Sequence, residues 1–256
     1  MKLRDYLAYV VSAPSLEELW AIHCKQMEEY GFEKLFYGCT RYRTPTSLGD
    51  PDDFVILTNH DPEYINGFLH SGRYYHAPMF RWALDNEGAA SWRMIPEMIN
   101  ASGLPELKRV HEYNQKMGIK VGYTISFQAM ALRSKGGVSL CARKDLTQDD
   151  VDAIWAEHGD EIHLMNQVAH LKVMTLPYSP PKRHLTKRQR EALQWVGDGK
   201  TTQDIALLMG LTAATVEKHL RLARETLSVE TTAQAVMKAA LLNQMYEPSR
   251  LMSPGC

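Results

Sequence analysis

Apolar positions change their spacing several times along this chain. Residues 16–30 repeat them at helical intervals and Gly31 ends the run, which predicts a helix. The stretch before it is short, broken at Ser12 and Pro14, and predicts no element. Residues 35–40 and 54–58 are compact apolar runs of strand length. Helical spacing returns over 63–68, 79–86 and 104–117, the last stopped at Gly118. Residues 122–132 and 138–142 predict two further strands, with Ser134-Lys135-Gly136-Gly137 as their hairpin turn. A long helix follows over 147–173, with an apolar stripe of Val151, Ile154, Trp155, Ile162, Met165, Val168 and Ala169. Such a mixture predicts an α+β domain: an antiparallel sheet flanked by helices.

The pattern then breaks at Leu176-Pro177-Tyr178-Ser179-Pro180-Pro181-Lys182-Arg183, which holds three of the twelve prolines. Proline denies hydrogen bonds to helix and ladder alike, so 176–184 predicts an extended linker between a domain at 1–175 and another at 185–246. The second domain predicts four short helices. Thr186 with Gln189 makes a capping box, and Gly197-Asp198-Gly199 stops that helix. Thr201 with Asp204 opens the next, whose buried side is Ile205, Ala206, Leu208 and Met209 and whose end is Gly210. Thr212 caps a third, with Val216, Leu220, Ala223 and Leu227 at helical spacing. A fourth starts at Thr231 or Thr232 and turns Ala235, Val236, Ala239 and Leu242 inward. The pair joined by Gly210-Leu211-Thr212 is a helix-turn-helix by pattern, so the whole small domain is all-α.

Length and composition narrow the function. The 256 residues suit one large domain or two ordinary ones, and 45% apolar with 23% charged residues excludes a disordered chain. The net charge of −1 points to no partner by itself. Its distribution does: residues 180–246 hold ten Lys and Arg against six Asp and Glu, so this module carries +4 and the remainder −5. No apolar run approaches membrane-spanning length, and the start lacks a signal-peptide core, so a cytoplasmic protein with no membrane partner is expected. Cys24, Cys39, Cys141 and Cys256 have no metal-site spacing and suit reduced thiols. No nucleophile motif, phosphate loop or metal cluster assembles, so neither an enzyme nor a cofactor is expected. His60, His70 and His76 are irregularly spaced, and His158, His163 and His170 predict a solvated helix face.

Leu185-Thr186-x-Arg188-x-x-Glu191-x-Leu193-x-Trp195, Gly199-Lys200-Thr201, Ile205-Ala206, Thr215-Val216-x-x-His219 and Gln234-Ala235 resemble the DNA-binding module of the LuxR-type transcription regulators. Departures are Gln189 and Asp204 where the family has longer acids or an acid, and Thr226 and Thr232 where it has Lys and Arg, with Arg221 and Arg224 as compensating cations. The resemblance implies double-stranded DNA as partner, read as a pseudo-palindromic operator by a homodimer, and leaves room for RNA polymerase. Arg188 and Lys200 would neutralise phosphates. Thr201, Thr212 and Thr215 sit at helix starts, where hydroxyls serve either as caps or as phosphate contacts. Lys218 and Arg221 can reach base edges. Glu217 can accept from a base or pair with Arg221 four residues on, and Arg224 adds charge. Val216 is expected in the core.

The larger domain resembles the same regulators' acyl-homoserine-lactone-binding domain through Gly31-Phe32, Phe36-Tyr37-Gly38, Pro78, Trp92 and Gly118-Ile119-x-x-Gly122-x-Thr124. That resemblance implies a small-molecule signal. Its ligand groups depart here: the family's indole donor aligns with Tyr64, its two tyrosines with His60 and Phe68, and its amide-accepting Asp with Ala77, His76 being one residue away. Trp92 is kept as an aromatic wall, and Tyr64, His60 and Ser139 remain as polar anchors. The aromatic density of Tyr64, Phe68, Tyr74, Tyr75, Phe80, Trp82 and Trp92 predicts an apolar pocket of unidentified ligand. Two other functions stay open: a regulator whose sensor has degenerated, and a protein-interaction module that binds no DNA.

Overall fold

Ser15 accepts a hydrogen bond from the Glu18 amide and starts a helix that buries Leu16, Leu19, His23 and Met27. The computed structural model in which this is seen describes residues 1–129, 131–178, 180 and 183–245. It divides into two compact units, one of Met1–Asp50 with Phe54–Met174, the other of Pro51–Asp53 with the chain from Thr175 onward.

The first unit runs α1 (Leu3–Ser12), α2 (Leu16–Glu28), β1 (Phe32–Thr40), β2 (Val55–Thr58), α3 (Pro62–Ile65), α4 (Pro78–Asp85), β3 (Gly88–Ser91), α5 (Ile95–Ser102), α6 (Pro105–Lys116), β4 (Gly122–Ser126), β5 (Lys135–Ala142) and α7 (Gln148–Thr175). Its five strands form one antiparallel sheet in the order β2-β1-β5-β4-β3. Strand side chains alternate between faces, so register sorts them. Tyr37 pairs with Val138 and Val138 with Ile125, placing these three on one face with Leu35, Leu140 and Tyr123. Trp155 of α7 stacks on Tyr123 at 4.0 Å between ring centres, and His170 of α7 covers Tyr37 and Phe127. The other face carries Phe36, Gly38, Thr40, Ser139, Gly137 and Lys135.

Several expectations need correction. Residues 3–12 are a helix: Tyr6 and Val10, one turn apart, are its two buried residues, too few for a pattern to show. α5 and β3 also went unpredicted. β3 is Gly-Ala-Ala-Ser and offers no apolar alternation. The predicted hairpin turn is strand: Lys135, Gly136 and Gly137 pair with Thr40, Cys39 and Gly38, and the connection lies before Ser134. The glycine pair is used there for lack of side chains, not for turning. His170 is not solvated. It is buried, its Nδ1 lies 2.8 Å from the Tyr37 hydroxyl, and Phe127 stacks on it at 4.2 Å.

The second unit contains α8 (Lys187–Gly197), α9 (Thr202–Met209), α10 (Ala213–Leu227) and α11 (Thr232–Leu241). Thr186, Thr201 and Thr231 each close a capping box, with Gln189, Asp204 and Gln234. Gly210 ends α9 at φ 64°, a left-handed conformation in which a side chain would be strained. Leu193, Ile205, Val216, Leu220, Ala235 and Ala239 meet in one core. Among the described residues no helix is long and apolar enough to cross a membrane.

Two buried histidines inside the first unit contribute to its acid response. Asn166 Nδ2 donates to the Ile162 carbonyl, which turns its Oδ1 toward His23 Nε2 at 3.1 Å; His23 Nδ1 then accepts from Tyr6, 2.7 Å away. Burial pushes His23 down to about 4, against the hydrogen bond to Asn166, and burial does the same to His170. An unfolded histidine takes up its proton near ~6.5 while these two stay neutral. Their contribution is therefore complete above the unfolded value and is lost as pH falls toward 4. Urea unfolding followed between these limits should show falling stability, and His23→Gln or His170→Gln should each remove about one proton from the uptake on unfolding. An unchanged pH slope in both variants would refute the assignment.

Candidate functional site: a cavity and a helix-turn-helix

The sheet face that carries Phe36, Gly38 and Ser139 is roofed by α3, α4 and the segment after β3, and a cavity remains between them. Its empty volume is about 1200 Å³, counting space open to solvent at its mouth. Room exists because Gly38 and Gly137 stand opposite each other in register, so the middle of the floor has no side chains. A Cβ built on Gly38 would meet Ile56 at 3.5 Å and Phe36 at 3.7 Å, ordinary contacts with cavity-lining residues.

One end is aromatic and polar. α3 widens into a π turn over Asn66–His70, which brings Phe68 beneath Tyr64, stacked at 5.2 Å and 13°. His60 packs on Tyr64 with ring centres 4.7 Å apart. Tyr64 donates its hydroxyl proton to Asn114 Oδ1 of α6 at 3.2 Å. Burial, and then Lys34, pushes His60 down to about 4, so it stands in the cavity wall as neutral imidazole. In the middle, Trp92 donates its indole N–H to Thr124 Oγ1 at 2.9 Å, and Ser139 is the register partner of Thr124.

Six of the seven residues singled out from the sequence line this cavity: His60, Tyr64, Phe68, Ala77, Trp92 and Ser139. His76 does not. It ends a short 3-10 turn, Arg73–His76, and is exposed. Tyr75 is exposed as well. Ala77 is buried at the start of α4, where no side chain caps the helix. Asn114, Thr124 and Lys135 also line the cavity and were missed. Thr124 and Lys135 face it only through strand register, and Lys135 stood in the segment read as a turn.

In the second unit, Thr201 and Thr212 act as caps, and Thr215 meets the Thr212 hydroxyl at 2.9 Å. Hydrogen bonds from Thr201 hold the Asp204 carboxyl below the usual carboxylate range. Glu217 does not pair with Arg221. It accepts from Thr202 at 2.8 Å and so joins α9 to α10, while Arg221 pairs with Glu225 at 2.5 Å. Arg188 pairs with Glu191, and Arg224 donates to Thr232 at the start of α11. Lys200, Lys218 and Arg221 are exposed. Val216 is buried in the core. Among the described residues no group of His, Cys, Asp or Glu could hold a metal ion.

Residues 15–173 match the model of the autoinducer binding domain, and residues 183–239 that of the bacterial regulatory proteins of the luxR family. The transcriptional activator protein LuxR of Aliivibrio fischeri is 39% identical over 193 residues, 74% of each chain. The crystal structure of Escherichia coli SdiA superposes with a TM-score of 0.53 at 17% identity, covering 96% of this chain and 98% of that one. A structure of SdiA in complex with octanoyl-rac-glycerol gives 0.51 at 16% identity, covering 94% and 93%.

Filling the bare floor should close the cavity while sparing the fold. Gly38→Leu, at a position with ordinary backbone, is expected to abolish thermal stabilisation by any cavity ligand and to leave the circular dichroism spectrum unchanged. A variant still stabilised like the native protein would place the ligand elsewhere.

Proposed function

Because this chain belongs to the LuxR family of bacterial transcription regulators, we propose that it is a homodimeric, signal-responsive regulator whose cavity takes a molecule other than an ordinary acyl-homoserine lactone. Family members regulate transcription and are not enzymes. Residues 1–175 are read as the sensor, 176–184 as the linker and 185–246 as the DNA reader, acting in the cytoplasm on a pseudo-palindromic operator.

The observation that carries the ligand reading is Ala77. It lines the cavity and is buried, so a ligand amide N–H brought against it finds a methyl group. Leaving such a donor without an acceptor costs about 1–3 kcal/mol. Phe68 removes a further hydroxyl. SdiA, a fold relative, is described with octanoyl-rac-glycerol, which has no amide. The dimer reading is supported by Leu164 and Leu171, two turns apart on α7 and both exposed, and by exposed Tyr9 and Val11 on α1.

A thermal-shift panel of acyl-homoserine lactones on native and Ala77→Asp protein tests the ligand. Native protein should respond weakly, and the variant should gain a larger ligand-induced shift. The shift, not the melting point, is the readout, because Asp before Pro78 would also cap α4 and stabilise the free protein by about 1 kcal/mol. Strong stabilisation of the native protein by a common lactone would overturn the reading.

The DNA reading makes a separate prediction. Arg221→Ala should cost ~1–3 kcal/mol and relax one position in each half-site, whereas Lys200→Ala should weaken all sequences alike and lower the salt slope by about 1. Gel-shift titrations at several salt concentrations, with stoichiometry by native mass spectrometry, measure both. One subunit per operator, or an Arg221→Ala protein that distinguishes operator from random DNA as well as the native one, would defeat it.

A further inference from the structure

The end of the cavity away from Tyr64 holds a cation. Lys135 begins β5 and pairs with Thr40, so its side chain shares the cavity face with Gly137 and Ser139. It lines the cavity and is only 8% exposed. Its Nζ donates to the Asn86 carbonyl at 2.9 Å, and the Ser126 hydroxyl donates to the same oxygen at 2.7 Å. That acceptor closes α4, so the ammonium is held at a fixed place by a helix C-terminus.

An ammonium has three donors, and one is used. Among the described residues Nζ makes no other hydrogen bond and no ion pair. The nearby acids point elsewhere: Asp85 is exposed and pairs with Arg43 at 3.9 Å, while Glu87 accepts from the Ala129 amide. Thr40 is already occupied, donating to the Leu48 carbonyl and accepting from the Tyr42 amide. Burial pushes the Lys135 ammonium below its ordinary value, with Glu87 and Asp85 opposing and Arg43 assisting. Buried lysines are ordinarily paired, and a lone one needs a compensating charge. The side chain of this one lines the cavity.

We propose that Lys135 anchors an anionic end of the signal molecule, so that the cavity takes an elongated, largely apolar carboxylate. Four residues of strand separate Lys135 from Ser139, about 13 Å at the usual rise. The apolar body lies across the bare strip at Gly38 and Gly137, and the far end meets Ser139, Tyr64 and His60. A molecule of this class needs no amide and no lactone, which suits Ala77. The inference rests on the reading of the cavity as the ligand site, and adds the charge and length of what fills it.

A matched pair of probes tests it: decanoate and its neutral methyl ester, by calorimetric titration into the native full-length chain, Lys135→Gln and Lys135→Met. Gln keeps a donor for the Asn86 carbonyl and removes the charge, so it separates anchoring from folding. Native protein should bind decanoate about tenfold or more tightly than the ester, the scale of one charge-assisted hydrogen bond. Both variants should lose that preference while keeping the ester's affinity. Equal binding of acid and ester by native protein, or a preference for the acid that survives in Lys135→Gln, would make Lys135 a helix clamp only and would leave the cavity reading standing. Binding of neither probe, with Gly38→Leu indistinguishable from native protein, would defeat the cavity reading as well.

Discussion

The antiparallel register between β1 and β5 is the constraint on which the sensor unit depends. Both faces of this pair are enclosed, so each residue belongs either to the packed side under α7 or to the cavity. Tyr37, Val138 and Leu140 go one way; Phe36, Gly38, Ser139 and Lys135 go the other. A slip of one residue would exchange the sets, put a lysine against Trp155 and His170, and fill the cavity with leucine and tyrosine. The hydrogen bonds that tie His170 to Tyr37 and Trp92 to Thr124 each hold in one register only.

The same constraint explains where polar groups can be tolerated. On the packed face, histidines are neutral and each finds a phenol or amide within the protein. On the cavity face, the polar groups are held by the protein with capacity left over: Thr124 accepts from Trp92, and Lys135 donates once, to Asn86. One sheet thus combines a sealed core with a surface prepared for a guest.

Legibility in the sequence followed the range of the signal. The helices of the second unit were readable because caps and apolar spacing lie within a few residues of one another, as Thr186 with Gln189 and Thr201 with Asp204 show. Likewise six cavity residues were reachable through a resemblance carried by local motifs. What stayed hidden depends on long-range pairing. Gly136-Gly137 looks like a turn until β1 is laid beside it, and nothing near His170 announces Tyr37, which is 133 residues away. For Glu217 the sequence offered a base or Arg221 on its own helix, but the neighbouring helix supplies Thr202. His76 illustrates the reverse error: adjacency to Ala77 in sequence does not survive the end of a 3-10 turn.

The carboxylate on Arg221 has a bearing on how such a module searches a genome. Glu225 engages one Nη of Arg221 and leaves the guanidinium's other donors with a carboxylate beside them. In a module reading DNA through this side chain, that carboxylate would repel a phosphate, which is an anion, more than the neutral edge of a guanine. The internal partner would therefore weaken the ubiquitous contact more than the rare one, and residence would concentrate where the bases are right.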